Sequence, residues 1–192
     1  MARAIFLLIT AYLLGALPTA YILVKAVYGR DIRRIGSGNV GGMNVVTNIS
    51  LGLGLLTIFL DLMKGFLAVL LAKLLTGSTF VIVACGLLVV TGHIWTVFLG
   101  FKGGKGIATA VGALLALKFW AAFWLVLVMA LMTALTREAH WGALAGFALL
   151  PFIVWWQLGG FGWFFFGLFL AVPVIFKHIQ VARFAGYHYS PY

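Results

Sequence analysis

The chain is poor in charge, and above all in acids. Only 8% of its 192 residues are charged, and the carboxylates are limited to Asp31, Asp61 and Glu138. So few acids argue against catalysis by paired carboxylates. Because 65% of the residues are hydrophobic, no soluble domain of this size could bury the apolar surface in one core. The composition therefore predicts a polytopic α-helical membrane protein, without the short alternating segments of a β-barrel.

The common catalytic and metal-binding motifs are missing. The single cysteine, Cys85, excludes an internal disulfide, and the four histidines show no metal-ligand spacing with it or with each other. None of the histidines is followed five positions later by an aspartate, so the HxxxxD acyltransferase motif is absent. A GxSxG sequence is also absent. Any reaction must therefore use other groups.

Long apolar runs predict the membrane spans. The clear ones cover about 4–24, 51–72, 79–99, 140–157 and 161–176. The first resembles a signal peptide, but its apolar stretch continues to Val24 and indicates a retained helix. The region 107–136 would form ~45 Å of helix, too long for one ~30 Å span. Lys118 interrupts it before an aromatic pair typical of a membrane interface, which predicts two helices, 107–117 and 120–136.

The distribution of positive charge predicts seven spans and their orientation. With seven segments, Arg3, Lys73 and Lys118 lie on one side and Lys64 lies within a span. The other side then carries nine basic residues: Lys25, Arg30, Arg33, Arg34, Lys102, Lys105, Arg137, Lys177 and Arg183. The positive-inside rule places the N-terminus outside and the C-terminus in the cytoplasm. The net charge of +10 thus reflects orientation and anionic ligands, not nucleic acid.

This topology brings four polar segments to the cytoplasmic face: 25–50, 99–106, 137–140 and 177–192. We find no internal repeat and no linker, so residues 1–192 are predicted to form a single integral membrane domain. The segment "DIRRIGSGNVGGMN", residues 31–44, places Ser37, Asn39 and Asn44 among glycines. Its backbone N–H groups could converge on an anion, including those at Gly36, Gly38 and Gly41. A plain flexible loop is the alternative.

The segment "GHIWTVFLGFKGGKGIATA", residues 92–110, is a second candidate for phosphate binding. It is not a Walker A motif, since glycine follows Lys105 and the context is helical. Gly103, Gly104 and Gly106 nevertheless permit close backbone approach, and the helix opening at 106–109, which includes Thr109, favours an anion. Lys102 is better suited to snorkelling toward lipid headgroups.

Asp61, Lys64 and His93 are ionisable residues in the interior of the apolar runs. Asp61 and Lys64 are three positions apart and share a helix face, either as a functional pair or as a structural ion pair bracing the helices. His93 lies two to three helical turns from the glycine loop. It is either a hydrogen-bonded packing residue or a proton acceptor.

Together these segments resemble the bacterial acyl-phosphate:glycerol-3-phosphate acyltransferases, the PlsY family, over essentially the whole chain. "RRIGSGNVGGMN" resembles its first motif, "LDLMKGF" its charged second span, "GHIWTVFLGFKGGKGIAT" its second motif and "FKHIQVARFAG" its third. The resemblance implies seven helices in the cell inner membrane with cytoplasmic motifs. It implies transfer of an acyl chain from acyl phosphate to the 1-hydroxyl of glycerol 3-phosphate in phospholipid synthesis, without a cofactor. The soluble enzyme that makes acyl phosphate is then a candidate partner, beside membrane lipids.

The resemblance also assigns site residues. The catalytic group is Ser37, Asn39, His93 and Lys105. The substrate-binding group is Gly36, Gly38, Gly41, Asn44, Lys64, Gly103, Gly104, Gly106, Thr109, Lys177, His178 and Arg183.

Four positions depart from the family pattern. Met43 stands where the family usually has Thr, Thr47 where it has Arg, Val181 near an expected Asn, and His140 where it favours Ser. A Glu expected after the last glycine of the third motif is also missing. Because no neutral residue replaces a bidentate arginine, acceptor capture should be weak unless Lys177, His178 and Arg183 compensate. A changed acceptor, an inactive member, a non-catalytic membrane partner and a small transporter remain open.

The charge distribution makes a testable prediction about topology. Single cysteines introduced into a Cys85→Ala background in intact cells should react with an impermeant thiol reagent at positions 3 and 118. Positions 33, 105, 137 and 183 should react only after the membrane is opened, because they lie on the positive, cytoplasmic side. Labelling of position 137 from outside would overturn the seven-span topology.

Overall fold

The computed structural model describes residues 1–184, with side chains described as far as residue 182. Its ordered elements are all helical. They are α1 (Ala2–Ala16), α2 (Thr19–Tyr28), a 3-10 turn (Ile32–Arg34), α3 (Gly42–Asn48), α4 (Leu51–Leu75), α5 (Thr79–Ile94), a second 3-10 turn (Val97–Leu99), α6 (Ile107–Leu117), α7 (Phe119–Thr136), α8 (Ala139–Leu158) and α9 (Gly162–Phe184).

Several of these helices are long and apolar enough to cross a membrane. Five pass by themselves: α4, α5 with the turn that follows it, α7, α8 and α9. The pair α1 and α2, bent by 43° at its break, makes a sixth. Helix α6 is apolar but has only 11 residues. The protein is therefore a multi-pass helical membrane protein, while the count of seven spans stays a prediction.

The predicted division of 107–136 into two helices is confirmed. Helix α6 ends and α7 begins around Lys118, whose backbone is extended at φ −155° and ψ 106°. The short α6 is covered by its neighbours, mainly α4, so its backbone is not left bare in an apolar environment. That contact makes a helix shorter than a bilayer possible.

The first span is not continuous, contrary to the sequence expectation for residues 4–24. Pro18 has no backbone N–H and disfavours a helical conformation of Leu17, whose ψ is 115°. The break leaves carbonyl groups without helical partners. The Thr96 hydroxyl donates to Ala16 O at 2.5 Å, and Lys64 Nζ donates to Leu17 O at 3.0 Å. Side chains from elsewhere in the fold therefore cap the broken helix.

The prediction of a polar tail beginning at residue 177 is also wrong. Helix α9 continues to Phe184, past the end of the apolar run at 176. Lys177 is 9% exposed and His178 is 4% exposed, so both lie inside the protein. Sequence hydropathy ends the span where charge begins, but packing against neighbouring helices carries the helix further. The side chain of Arg183 lies outside what the structure describes.

Glycines allow α4 and α6 to pack with their backbones in close approach. A Cβ atom added at Gly65 would collide with the carbonyl oxygen of Thr109, and one added at Gly112 would collide with that of Leu62. Small residues at such crossings are typical of membrane helices, whose association depends on van der Waals packing. The same device joins α1 and α5, where Gly92 faces the backbone of Tyr12.

These contacts predict different outcomes for one substitution at two positions of α4. Gly65→Ala should destabilise the protein by roughly 1–3 kcal/mol, because a backbone carbonyl cannot move aside for the methyl group. Gly52→Ala meets no atom within 4 Å and should leave stability unchanged or slightly raised. Thermal unfolding of both variants in the same detergent measures the difference. Equal stabilities would show that α4 and α6 are not in such close contact.

Candidate active site

One cavity of about 770 Å³ lies where several helix ends and loops meet. Its walls come from the loop before α3, the start of α6, the start of α8 and the end of α9. The four segments expected to share a face therefore do meet, within the residues that the structure describes. The polar lining includes Ser37, Asn39, Asn44, Asn48, Asp61, His93, Lys105, His140 and His178, and the apolar lining includes Ile58, Leu62, Ile107, Val111, Met129 and Ala143.

The side chain of Asn44 organises the first loop. Its Nδ2 donates to the carbonyl oxygens of Ile35 and Asn39, each at 3.0 Å, and its Oδ1 accepts from the backbone N–H of Ser37 at 3.2 Å. Asn48 Nδ2 also donates to Oδ1, at 2.9 Å. Asn44 is 5% exposed. Its amide is therefore used within the loop, which supports an organising role, and its predicted contact with substrate stays untested.

Gly36 allows that loop to pass close to Asn44. Its φ is 55°, in the region that favours glycine. A Cβ atom here would collide with the Asn48 side-chain nitrogen and crowd Asn44 Oδ1. The asparagine network and the glycine together shape this edge of the cavity, where Ser37 and Asn39 line the wall. The Oδ1 atom of Asn39 is buried and has no hydrogen-bond partner among the described residues.

The second glycine-rich loop folds back onto the end of α5. Gly103 N–H donates to Ile94 O at 3.0 Å, and Gly104 N–H donates to His93 O at 3.1 Å. A Cβ atom at Gly104 would strike His93 Nε2, so only glycine fits. Gly106, at φ 86°, then turns the chain into the first residue of α6. Both the loop and the exposed N–H groups of the helix start therefore lie beside His93 and the cavity.

Lys105 is a cation on this loop. It lines the cavity, and no described residue accepts a hydrogen bond from its ammonium group or forms an ion pair with it. Partial burial lowers the pKa of Lys105 below its ordinary value, since desolvation penalises the charged form. An unpaired, partly desolvated cation beside a helix N-terminus is suited to hold an anion.

Below the loops, the Asp61 carboxylate joins three parts of the fold. Its Oδ1 accepts from Thr19 Oγ1 at 2.7 Å and lies 2.8 Å from Lys64 Nζ, which confirms an ion pair. The same oxygen is 3.6 Å from His93 Nδ1. His93 thus has one ring nitrogen toward a carboxylate and the other toward Gly104 in the second glycine-rich loop. From the sequence, His93 was expected to lie two to three helical turns from that loop. In the structure, its ring is in contact with the loop.

The departures from the family pattern lie at the same cavity. Thr47 Oγ1 donates to Met43 O in its own helix at 3.0 Å, so this hydroxyl bonds to the backbone of α3. Val181 contributes an apolar surface. The His140 and His178 rings stack, with centroids 4.6 Å apart and an interplanar angle of 30°. Since 38 positions separate the two histidines, the sequence carried no signal of this contact.

A family profile described as "Glycerol-3-phosphate acyltransferase" matches residues 5–184 of the chain. The chain belongs to this family. A family member of Moorella thermoacetica, glycerol-3-phosphate acyltransferase 2, is 44% identical over 147 residues, which are 77% of this chain and 75% of the relative. The glycerol-3-phosphate acyltransferase of Desulforudis audaxviator is 40% identical over 185 residues, which are 92% of this chain and 89% of the relative.

Two solved family structures share the fold. Both are crystal structures of PlsY (YgiH), an integral membrane glycerol 3-phosphate acyltransferase, and each covers 92% of this chain and 88% of its own. The glycerol 3-phosphate form has a TM-score of 0.86 at 33% identity, and the lysophosphatidic acid form 0.84 at 31%. The predicted membership of the PlsY family is therefore confirmed.

The structure brings most, but not all, of the predicted site residues of this family member to the cavity. Those lining it are Gly36, Ser37, Asn39, Gly41, Asn44, His93, Lys105, Gly106 and His178. Gly103 and Gly104 instead line a small adjoining hollow against His93. Thr109 is fully buried in the contact of α6 with α4, and Lys177 donates to Gln180 Oε1 at 3.2 Å. Lys64 is directed to Asp61 and Leu17, and Gly38 lines neither hollow. The predicted roles of these residues remain predictions.

The buried ion pair predicts a test by double substitution. Asp61→Asn should destabilise the protein by roughly 3–5 kcal/mol, because it leaves the Lys64 ammonium buried without a counter-charge. Asp61→Asn combined with Lys64→Met should be less harmful than Asp61→Asn alone. Thermal unfolding in detergent gives both values. The exposed pair of Asp31 and Arg33 is the control, since Asp31→Asn should change stability little in a solvent-screened position.

If the double variant is no more stable than Asp61→Asn, the ion pair is not what makes the single substitution harmful.

Proposed function

We propose that this protein transfers an acyl chain from acyl phosphate to the 1-hydroxyl of glycerol 3-phosphate, forming lysophosphatidic acid and phosphate. The observation that carries this proposal is the position of Lys105. It is a cation on a glycine-rich loop at a helix start, and no residue that the structure describes pairs with it. It faces a cavity that is polar on one side and apolar on the other. Such a cavity suits a substrate with a phosphate head and an acyl chain.

The donor explains why so little catalytic machinery is needed. Acyl phosphate is a mixed anhydride, so its carbonyl carbon is already activated. The acceptor oxygen attacks that carbon, the bond from carbon to the phosphate oxygen breaks, and phosphate leaves. The hydroxyl proton passes to the departing phosphate or to His93. The protein then contributes mainly by positioning two phosphates and stabilising the developing charge.

Each group at the polar side of the cavity has a role in this scheme. Lys105 and the N–H groups of the loop and of α6 hold phosphate oxygens, as other helix N-termini do. The Ser37 hydroxyl serves as a neutral donor at the opposite wall. The buried, unpartnered Oδ1 of Asn39 can accept a hydrogen bond from an acceptor hydroxyl.

The carboxylate of Asp61 supports a specific form of His93. A carboxylate facing Nδ1 favours the proton on that nitrogen, which leaves Nε2 as an acceptor toward the loop and the phosphates. His93 can therefore accept a proton without moving. Its ring is held between Asp61 and Gly104, so its geometry is preorganised.

The same proposal includes the membrane orientation. We count seven spans, taking the bent pair α1 and α2 once and the short α6 once. With that count, the positive-inside rule supports an orientation in which the cavity opens to the cytoplasmic face of the inner membrane. A water-soluble acceptor reaches the site from that side, and the acyl chain enters between helices. A soluble enzyme that supplies acyl phosphate would meet the protein there.

An altered acceptor is the second candidate, because Met43, Thr47, His140 and Val181 all line the cavity. Purified protein assayed with acyl phosphate and labelled glycerol 3-phosphate distinguishes the two, with acyl-CoA as a control donor. Formation of labelled lysophosphatidic acid supports the first proposal. Donor consumption only with another polyol phosphate supports the second.

Two lysines in one loop provide a matched pair of variants. Lys105→Ala should lower turnover by at least about a hundredfold, because an electrostatic contact to the transferring group is lost. Lys102→Ala should do much less, since Lys102 is exposed and lies outside the cavity lining. Steady-state rates measure the difference, and thermal unfolding checks that both variants fold. Equal activity of Lys105→Ala and the unsubstituted protein would remove Lys105 from the site.

A further inference from the structure

The 97–102 turn, between α5 and α6, presents apolar side chains at the surface of the protein. Val97 is 45% exposed, Phe98 is 55% exposed and Phe101 is 59% exposed. Val97 and Phe98 belong to the membrane span Thr79–Leu99, so the turn stands at one end of that span. The turn therefore continues the apolar surface of a membrane span past the end of α5.

These side chains are exposed although the turn itself is well held. The Thr96 hydroxyl donates to Ala16 O, and Thr96 O accepts from the N–H of Phe101 at 2.8 Å. The N–H of Phe98 donates to Thr96 Oγ1 at 3.2 Å. Leu99 packs against a small core cluster, whose buried members are Ala20, Val24, Ile32, Val40 and Val45. The fold thus fixes which side chains of the turn lie inside and which lie outside.

The backbone of Phe101 has a conformation that favours glycine. Its φ is 62°, and only Phe101 and Arg137 have a positive φ among the non-glycine residues that the structure describes. For a bulky side chain this conformation is strained, and strain of this kind is concentrated at functional sites. Because the phenyl ring is exposed, no contact in the protein core offsets the strain. A contact outside the chain would account for the ring.

Positive charge accompanies the apolar side chains. Lys102 ends the turn, is exposed, and forms no hydrogen bond or ion pair through its ammonium group with a described residue. Arg30 and Arg34 are also exposed, on either side of Ile32 in the cluster against which Leu99 packs. The charge distribution assigns these basic residues to the same side of the membrane. The surroundings of the turn are therefore complementary to an anionic surface.

From this geometry we propose that the 97–102 turn is a lipid-binding surface at the membrane interface, with Lys102 on the phosphate of an anionic phospholipid. Phe98 and Phe101 lie at the boundary between headgroups and acyl chains, a depth at which aromatic side chains are common. A lysine there keeps its stem in apolar surroundings and its ammonium among the headgroups. Bilayer lipid is the occupant because the exposed side chains continue a membrane span.

This surface lies directly before the second glycine-rich loop. Lys105 is three residues from Lys102, so the two are at most ~11 Å apart along the backbone. The N–H of Gly103 donates to Ile94 O at 3.0 Å, which ties the loop to the end of α5. The depth of the turn in the membrane therefore sets the depth of Lys105, close to the headgroup phosphates. Here the inference rests on the proposed function, in which Lys105 holds a substrate phosphate.

The first test is depth-dependent quenching of a bimane label in vesicles. Phe98→Cys and Phe101→Cys, each in a Cys85→Ala background, carry the label. Lipids brominated in the upper part of the acyl chain should quench it, and iodide present on both sides of the membrane should quench it little. The label at Glu138→Cys, an exposed position between α7 and α8, is the aqueous control and should be quenched mainly by iodide. Quenching at 98 and 101 by iodide alone would overturn the proposal and favour a soluble partner.

The second test measures headgroup selectivity at this surface with the label at position 98. Brominated phosphatidylglycerol diluted into phosphatidylcholine is compared with the reverse mixture. Phosphatidylglycerol should be preferred about fivefold, the effect of one basic residue near an anionic headgroup. Lys102→Ala should abolish the preference and Lys102→Arg should keep it. An equal preference with and without Lys102 would overturn the assignment of the headgroup to Lys102.

Inorganic phosphate distinguishes a lipid headgroup from a free anion. At constant ionic strength, added phosphate should leave the preference for phosphatidylglycerol unchanged. Loss of the preference would show that Lys102 binds free phosphate, and this too would overturn the proposal.

Phe101→Asn separates the lipid contact from folding. Asparagine adopts a left-handed conformation more readily than phenylalanine, so the variant in detergent should be at least as stable as the unsubstituted protein. The label at position 98 should nevertheless lose part of its quenching by brominated lipid. Phe80→Ser is the control, since Phe80 is 79% exposed at the other end of the same span and should leave that quenching unchanged. Lower stability of Phe101→Asn with unchanged quenching would overturn the assignment of Phe101 to lipid.

Turnover of the unsubstituted protein tests the proposed function separately. If the labels at 98 and 101 contact lipid but no lysophosphatidic acid is formed, the proposed function fails and the lipid-binding surface stands. If the protein turns over and iodide alone quenches both labels, the lipid-binding surface fails and the proposed function stands.

Discussion

A charge inside a membrane helix bundle must be paired, and in this protein that constraint falls on the carboxylate of Asp61. Its Oδ1 accepts from Thr19 and pairs with Lys64, so it joins the start of α2 to α4. Lys64 in turn donates to Leu17 O, at the break that Pro18 imposes on the first span. One buried cluster therefore stabilises the broken helix and faces His93 at the end of α5. Asp61 and His93 both line the cavity, so the shape of the cavity depends on this cluster.

The polar groups of this protein divide into those satisfied within the fold and those that are not. Asn44 and Asp61 have protein partners, and both shape a wall of the cavity. Lys105 and His178 have no hydrogen-bond or ion-pair partners among the described residues, and both face the cavity. Since an unmade bond on a buried group is costly, the unsatisfied groups that line the cavity are the candidates for substrate binding, and the satisfied ones hold the site in shape.

The chain belongs to the glycerol-3-phosphate acyltransferase family although Met43, Thr47, His140 and Val181 differ from the family pattern. The two facts are compatible because these residues lie apart from the second glycine-rich loop. The second loop carries its glycines, Lys105 and a contact with His93, and these support the proposed binding of acyl phosphate on this side of the cavity. The altered positions lie across the cavity, around α3, the start of α8 and the end of α9.

Local sequence determined a large part of this protein. Apolar runs predict its membrane helices, Lys118 the division between α6 and α7, and three-residue spacing the pair of Asp61 and Lys64, because hydropathy and helical periodicity act within a few turns. The motifs of the two glycine-rich loops are also local, and they indicated the family and many of the residues that line the cavity. The sequence predicted a continuous first helix and so missed the bend at Pro18. It also missed the extension of the last helix beyond residue 176.

Only the tertiary structure decided which distant side chains meet. It placed His93 against Gly104, stacked His140 on His178 and buried Thr109 away from the cavity. No sequence period links α8 to α9 at that point, because their contact is set by how antiparallel helices pack side by side. Whether a buried nitrogen finds a hydrogen-bond partner in the protein depends on that packing, and so it could not be inferred from the order of the residues.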